Sequence, residues 1–476
     1  MPAGIIASLL ILISVAASLL AENVQEKTTL AASPSVTISP NVRVSHNRGP
    51  FIEATVAANP TNPKNLVASA SELIAEGLVA TSFVSLDGGL TWRASPLPEM
   101  KEGLARGDFS HSEDTWVTYS TNGTVYLSPL RPRKIGNTAW KTQIVVYRSA
   151  DNGLTWNGPV LVPGESFDRP SIVSNGEEVY LATHASGRDS AIVPHAIAAE
   201  VIALLGSVDG GRSFRPLSYI APDNTGHNPA NLIVLPDESL LLPYYDYPRG
   251  GRQPLASGRF YVVHATDKGK VLGLPQFVVS VPRPSVQGSI AVDRTSGSFR
   301  GRLYAVWESG DLMFLNFKNA TLAETNGKRR EVSIAYSVDG GASWSAPTVL
   351  SVPTAGPAYY SNVTVNSAGV VGIAWLQHES TERARLCYRI YFSASVDGGR
   401  TFTPPQVVSD AVSCPDGAEN RAAVFPPDND RIVEDWPRGG DYIGLTTSAD
   451  GSFHPVWVDA RGETFQVYTT GIEVHK

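Results

Sequence analysis

The chain has 476 residues, 42% of them hydrophobic and 17% charged, with 42 Gly and 34 Pro. That is enough apolar material for a large core and too little charge for a disordered chain. The formal charge is −7 and no basic run exceeds Lys328-Arg329-Arg330, which argues against nucleic acid as a partner.

Residues 5–21, IIASLLILISVAASLLA, are continuously apolar, and the polar stretch ENVQEKTT follows at once. This is the pattern of a secretory signal cleaved near Ala21, and it places the protein in a secreted, periplasmic or otherwise extracellular compartment. The preceding MPAG carries no Lys or Arg and Leu19 is bulky for a cleavage site, so an uncleaved N-terminal anchor is the alternative. No other stretch is apolar enough to span a membrane. Residues 22–33 read as a linker.

From residue 34 onward the sequence is a succession of strands. PSVTISPNVRV, at 34–44, stands alone. Seven strand pairs follow, each with period-2 alternation about a short turn: TVAANPTNPKNLVASAS from Thr55, WVTYSTNGTVYLSP from Trp116, SIVSNGEEVYLATH from Ser171, NLIVLPDESLLLPYYDY from Asn231, SIAVDRTSGSFRGRLYAVW from Ser289, NVTVNSAGVVGIAW from Asn362 and GLTTSADGSFHPVWVDAR from Gly444. Alternation with Asn-Gly, Asp-Glu or Asp-Gly turns marks hairpins.

An octet of the form S-x-D-[GN]-G-x-[ST]-[WF] recurs behind five of these pairs, with its aspartate at Asp87, Asp151, Asp209, Asp339 and Asp397. A blurred copy, ATDKG, carries Asp267 in the one double-length gap. In such a turn the Asp accepts backbone N–H bonds, Gly supplies positive φ, and the closing Trp or Phe packs inward. One carboxylate per repeat belongs to separate units, so these aspartates are structural. A period near 60 residues without helical pattern predicts an all-β fold, a seven-bladed β-propeller of one domain over 34–476, with six blades as the alternative. The lone strand at 34–44 completes the last blade and removes its open edge.

The octets resemble the Asp-box, or BNR, repeats of the sialidase (neuraminidase) superfamily, and with their flanking strands they cover nearly all of residues 45–476. The resemblance implies a site on the propeller face away from the octets, where the long, dissimilar loops lie. It implies an arginine cluster for a substrate carboxylate, a tyrosine nucleophile with a carboxylate partner, and an aspartate acid/base. By loop position and residue type these roles fall to Arg249, Arg283 and Arg461; to Tyr359 or Tyr360 with Glu53; and to Asp435 or Asp441. The chain departs from the family in lacking an Arg-Ile-Pro tripeptide in its first blade, where NRGPFIEATVA stands instead.

Cys387 and Cys414, the only cysteines, are expected to be bonded, pinning the loop after the sixth blade. His184, His227 and His378 have no metal-ligand spacing, so neither metal nor cofactor is expected. Two functions follow: a secreted sialidase-like glycoside hydrolase acting on a glycan or glycoconjugate, or a non-catalytic propeller that binds glycan or protein on the same face.

Overall fold

The computed structural model describes residues 34–46, 49–74, 77–98, 114–135, 139–197, 200–221, 225–248, 258–281, 288–310, 314–316, 321–323, 329–379, 387–415, 438–462 and 464–476. Over Ser35–His475 the strands form seven antiparallel sheets, the blades of a β-propeller, plus one small hairpin. In blade 1 the strands Phe51–Ala58, Leu66–Ile74, Gly77–Ser85 and Arg93–Ala94 run in order from the axis outward. Blade 3 (Asp168–Asn175, Glu178–Ser186, Glu200–Ser207, Arg215–Ile220) and blade 6 (Ala358–Val365, Val371–His378, Tyr388–Ser395, Gln406–Val407) repeat this order.

Blade 2 is Trp116–Tyr119, Val125–Ser128, Ala139–Ser149 and Asn157–Leu161, with Leu130–Ile135 also paired to its third strand. Blade 4 has split inner and outer strands around Leu240–Pro248 and Gly258–Thr266. Blade 5 is Ser289–Val292, Leu303–Ser309, Glu331–Ser337 and Thr348–Val349, with the hairpin Phe314–Asn316 and Thr321–Ala323 between its second and third strands.

Blade 7 closes the ring. Its inner strands are Gly444–Thr447 and Phe453–Asp459, and its third is divided into Gln466–Thr469 and Ile472–His475. The outermost strand comes from the other end of the chain: Ser35–Ile38 pairs with Ile472–His475, and Val42–Arg43 with Gln466–Thr469.

Because each blade is apolar on both faces, the core lies between blades. Between blades 7 and 1, Phe51, Leu66, Phe83 and Trp92 pack on Val456, Val458 and Phe465. The octets tie these layers together. Ser337 Oγ donates to Asp339 Oδ1 (2.8 Å) and accepts from Gly341 N (2.8 Å), while Ser343 donates to the same carboxylate through N (2.9 Å) and Oγ (2.5 Å). The Ser-to-Asp and Gly-to-Ser bonds recur at Asp87, Asp151, Asp209 and Asp397. The second glycine of each turn has positive φ and lies against the preceding blade: Gly153 on Val67, Gly341 on Val262, Gly399 on Tyr304. The Asp267 turn of blade 4 keeps this contact, with Gly269 on Leu204, and in addition places Asp267 and Lys268 at φ 47° and 55°.

Candidate functional site

The inner strands all begin on the face opposite the octets, so their first residues converge around the axis there. At four of these starts a non-glycine residue is left-handed: Glu53 (φ 60°), Asp114 (51°), Arg169 (52°) and Tyr360 (56°). In blades 1, 3 and 6 this residue lies in an interruption of the inner pairing, between Ile52 and Thr55, Asp168 and Ser171, and Tyr359 and Asn362. Left-handed backbone costs about 1–3 kcal/mol for such residues and persists only where the surroundings enforce it. Of these residues, Asp114 and Arg169 line the narrow pocket at this end of the channel. Asp441 holds the corresponding place before the inner strand of blade 7.

Next along the inner strands of blades 1, 3, 4 and 6, polar side chains bond to the neighbouring blade. Thr55 Oγ1 donates to Thr115 O (3.2 Å), Leu232 N to Ser171 Oγ (2.9 Å), Asn231 Nδ2 to Ile290 O (2.8 Å) and Asn362 Nδ2 to Ile443 O (3.1 Å). This belt of inter-blade bonds holds the strand starts in fixed relation.

Charge is concentrated above the belt. Arg169 Nη2 meets Asp441 Oδ2 at 2.5 Å, Arg169 N donates to Asp114 Oδ2 (3.3 Å), and Asp114 N donates to Glu53 Oε2 (2.9 Å). Burial works against the Arg169 charge, but Asp441, Asp114, Asp168 and Glu53 outweigh it and hold the guanidinium above its ordinary pKa. Tyr442 stands beside them, its ring 5.8 Å from that of Trp116. Burial, followed by the charges of Glu53 and Asp114, pushes the Tyr442 phenol well above its usual range. Glu53 is fixed from behind, since its N–H donates to Gly439 O (2.9 Å) and a side chain at Gly440 would collide with it.

A second cluster adjoins the first. Arg438 lies with its guanidinium carbon 3.7 Å from the centre of the Tyr359 ring, and its Nε donates to His378 Nε2 (2.9 Å). Arg330, fully buried and 3.6 Å from Glu308, approaches the same ring at 5.3 Å. Burial, then the adjacent Arg438 charge, drives His378 well below 6.5, so the ring is neutral and accepts at Nε2. Burial raises the Tyr360 phenol; Arg438 opposes that shift and Asp441 adds to it.

The structure thus brings Glu53, Tyr360 and Asp441 to the mouth, together with Tyr359 beneath Arg438. Glu53 adds to the shift that burial imposes on Tyr442, while the charges that act on Tyr360 are those of Arg438 and Asp441. Arg461 is drawn elsewhere: its Nε and Nη2 donate to Asp459 Oδ2 (3.0 and 2.7 Å), Nη2 to Asn41 (2.9 Å) and Nη1 to Asp410, at the margin of blades 6 and 7. Asp435, Arg249 and Arg283 lie outside the described residues. Cys387 and Cys414 form a disulfide. His184 pairs with Glu200, while His227 stacks edgewise on Tyr244. Among the described residues no group of three or more His, Cys, Asp and Glu is placed to hold a metal ion, and no helix is long and apolar enough to cross a membrane.

Asp114 escaped the sequence reading although a signal for it exists. It precedes Trp116 by two residues as Glu53 precedes Thr55, Arg169 precedes Ser171 and Tyr360 precedes Asn362. Aligning the inner strands on their first axis-facing residue would have singled out all four.

No family model matches the sequence, and no curated protein matches it. Among solved structures the chain is similar to a protein of unknown function from Dyadobacter fermentans, at 13% identity over 92% of this chain and 99% of that one, with a TM-score of 0.49. It is also similar to an α-L-arabinanase from Penicillium chrysogenum complexed with arabinobiose (16% identity, 76% and 93% covered, TM-score 0.44) and to a Hadza microbial sialidase (12%, 87% and 74%, 0.46). At these identities the likeness concerns the fold alone.

Proposed function

We propose that the protein is a secreted, sialidase-like propeller that hydrolyses glycosidic bonds at the mouth opposite the octets, with residues 1–21 as its export signal. The observation that carries this reading is the set of strained, charged strand starts, Glu53, Asp114 and Arg169, meeting Asp441 around one axis. Glycoside hydrolysis needs one carboxyl group to protonate the leaving oxygen and another to attack the sugar or activate water. Asp441, oriented by Arg169, suits the second role, and Glu53, fixed by Gly439 and Asp114, suits the first. Arg169 is a positioning residue here. Because it is matched by several carboxylates, the described mouth is acidic on balance and suits a neutral sugar better than a sialic acid.

The test is a screen of the purified protein on aryl glycosides of arabinose, xylose, glucose and galactose, with an aryl sialoside alongside. Turnover of a neutral glycoside is expected, reduced about 10²–10⁴-fold by Asp441→Asn or Glu53→Gln with the fold intact. Absence of turnover on every substrate would leave the non-catalytic reading, a glycan- or protein-binding propeller. That second reading is favoured by the bonds that Glu53, Asp114, Arg169 and Asp441 already make to one another.

A further inference from the structure

The mouth is one end of the central channel; toward the octet face the channel widens. There the inner strands of all seven blades enclose a cavity of about 660 Å³, inside the range of roughly 300–1,000 Å³ typical of small-molecule sites. Trp116, Asn231 and Asn362 form its floor, since they line both this cavity and the narrower pocket beneath the mouth. The amides of Asn231 and Asn362 are engaged in the inter-blade belt. The wall below them is different in kind.

On that wall the hydroxyls of Thr118 and Thr364, from two blades, make no hydrogen bond among the described residues. Ser174 lines the wall as well, but its hydroxyl is buried and is not presented to the cavity. Between the hydroxyls stand aliphatic side chains such as Val173, Ile233 and Val365, and Trp116 offers a half-buried aromatic surface. The one charged side chain on the wall is Arg294, which is exposed.

We propose that this cavity is a second ligand site, distinct from the mouth, which takes a neutral saccharide through the octet face. A sugar ring presents an apolar C–H face, which an indole accepts, and a rim of hydroxyls that both donate and accept, as Ser and Thr hydroxyls do. A ligand charged at the depth of these hydroxyls would leave its charge among groups that cannot balance it, since Arg294 is exposed at the turn that follows the inner strand of blade 5. The opening is rimmed by turns between the first and second strands, where Arg294, Thr295, Asn366 and Ser367 lie, and the octets stand further out with a structural role.

The experiment titrates the full chain with arabinobiose and with cellobiose, read by calorimetry and by tryptophan fluorescence, with 3′-sialyllactose as the charged comparator. Saturable binding of at least one neutral disaccharide is expected, weakened at least tenfold in the Thr118→Val, Thr364→Val double variant and unchanged in Asp441→Asn. Ser367→Trp, at the exposed rim of the cavity, provides an independent block that leaves Thr118 and Thr364 in place and should weaken binding similarly. The proposal is overturned if neither disaccharide binds, if Asp441→Asn abolishes binding while the channel variants retain it, or if 3′-sialyllactose binds as tightly as the neutral sugars. Failure of the hydrolysis screen would not affect this outcome, because binding is read without turnover.

Discussion

Two buried histidines show how single residues couple the fold to pH. His378 sits neutral between the Arg438 guanidinium and the Cys387 backbone, its pKa driven well below 6.5 by burial and by that positive charge. His454, packed under the first octet near Gly89, is lowered to about 4, by burial first, with Asp450 opposing. A depressed histidine binds its proton more readily in the unfolded chain than in the folded one. Stability is therefore full above about pH 6.5 and falls as pH drops from there toward 4, by on the order of 3 kcal/mol for His454 alone. Melting temperature should fall between pH 7 and pH 4.5, and His454→Gln should flatten that slope. An unchanged pH profile in the variant would place the acid sensitivity elsewhere.

The octet turn acts at the level of the element. Its Ser, Asp and second Gly form a closed local network, and the same glycine is where one blade rests on the preceding one. At Gly153 (φ 83°) a side chain would meet Val67 Cγ2 at 2.4 Å, whereas at Gly123 (φ 84°), in the blade 2 hairpin turn, nothing lies within 4 Å. Both positions carry the left-handed cost, but only Gly153 adds the collision. Gly153→Ala should accordingly destabilise by about 1–3 kcal/mol more than Gly123→Ala in denaturant unfolding. Equal costs would mean that the turn does not bear on the preceding blade. Neither substitution should alter the proposed hydrolysis per folded molecule, since both turns are on the face away from Glu53 and Asp441.

For the whole molecule the decisive feature is closure by the N-terminal strand. Removing residues 1–43 deletes the partner of Ile472–His475 and of Gln466–Thr469 and exposes a long strand edge in blade 7. The truncated chain should melt about 3–6 °C lower or associate through that edge, as read by circular dichroism and size-exclusion chromatography, on the scale expected when a domain of this size loses several kcal/mol. A truncated protein that melts like the full chain would show that the ring does not depend on this closure.

The architecture was legible because it repeats. Alternation fixes which face of a strand is apolar, turn chemistry fixes where it reverses, and five near-identical octets set the period, so blade number and the role of residues 34–44 follow from local rules applied many times. The mouth has no such redundancy. Glu53, Asp114, Arg169 and Asp441 come from different blades, up to hundreds of residues apart, and their meeting depends on how each inner strand bulges at its start. Arg461 illustrates the limit: adjoining an inner strand by sequence, it is captured by Asp459, Asp410 and Asn41, the last contributed by the N-terminal segment. The sequence by itself determined the blades and their order, because those follow from short-range periodicity. Only the tertiary structure decided which charges face one another across the axis, because a long side chain settles on whichever opposite charge the closed ring brings within reach.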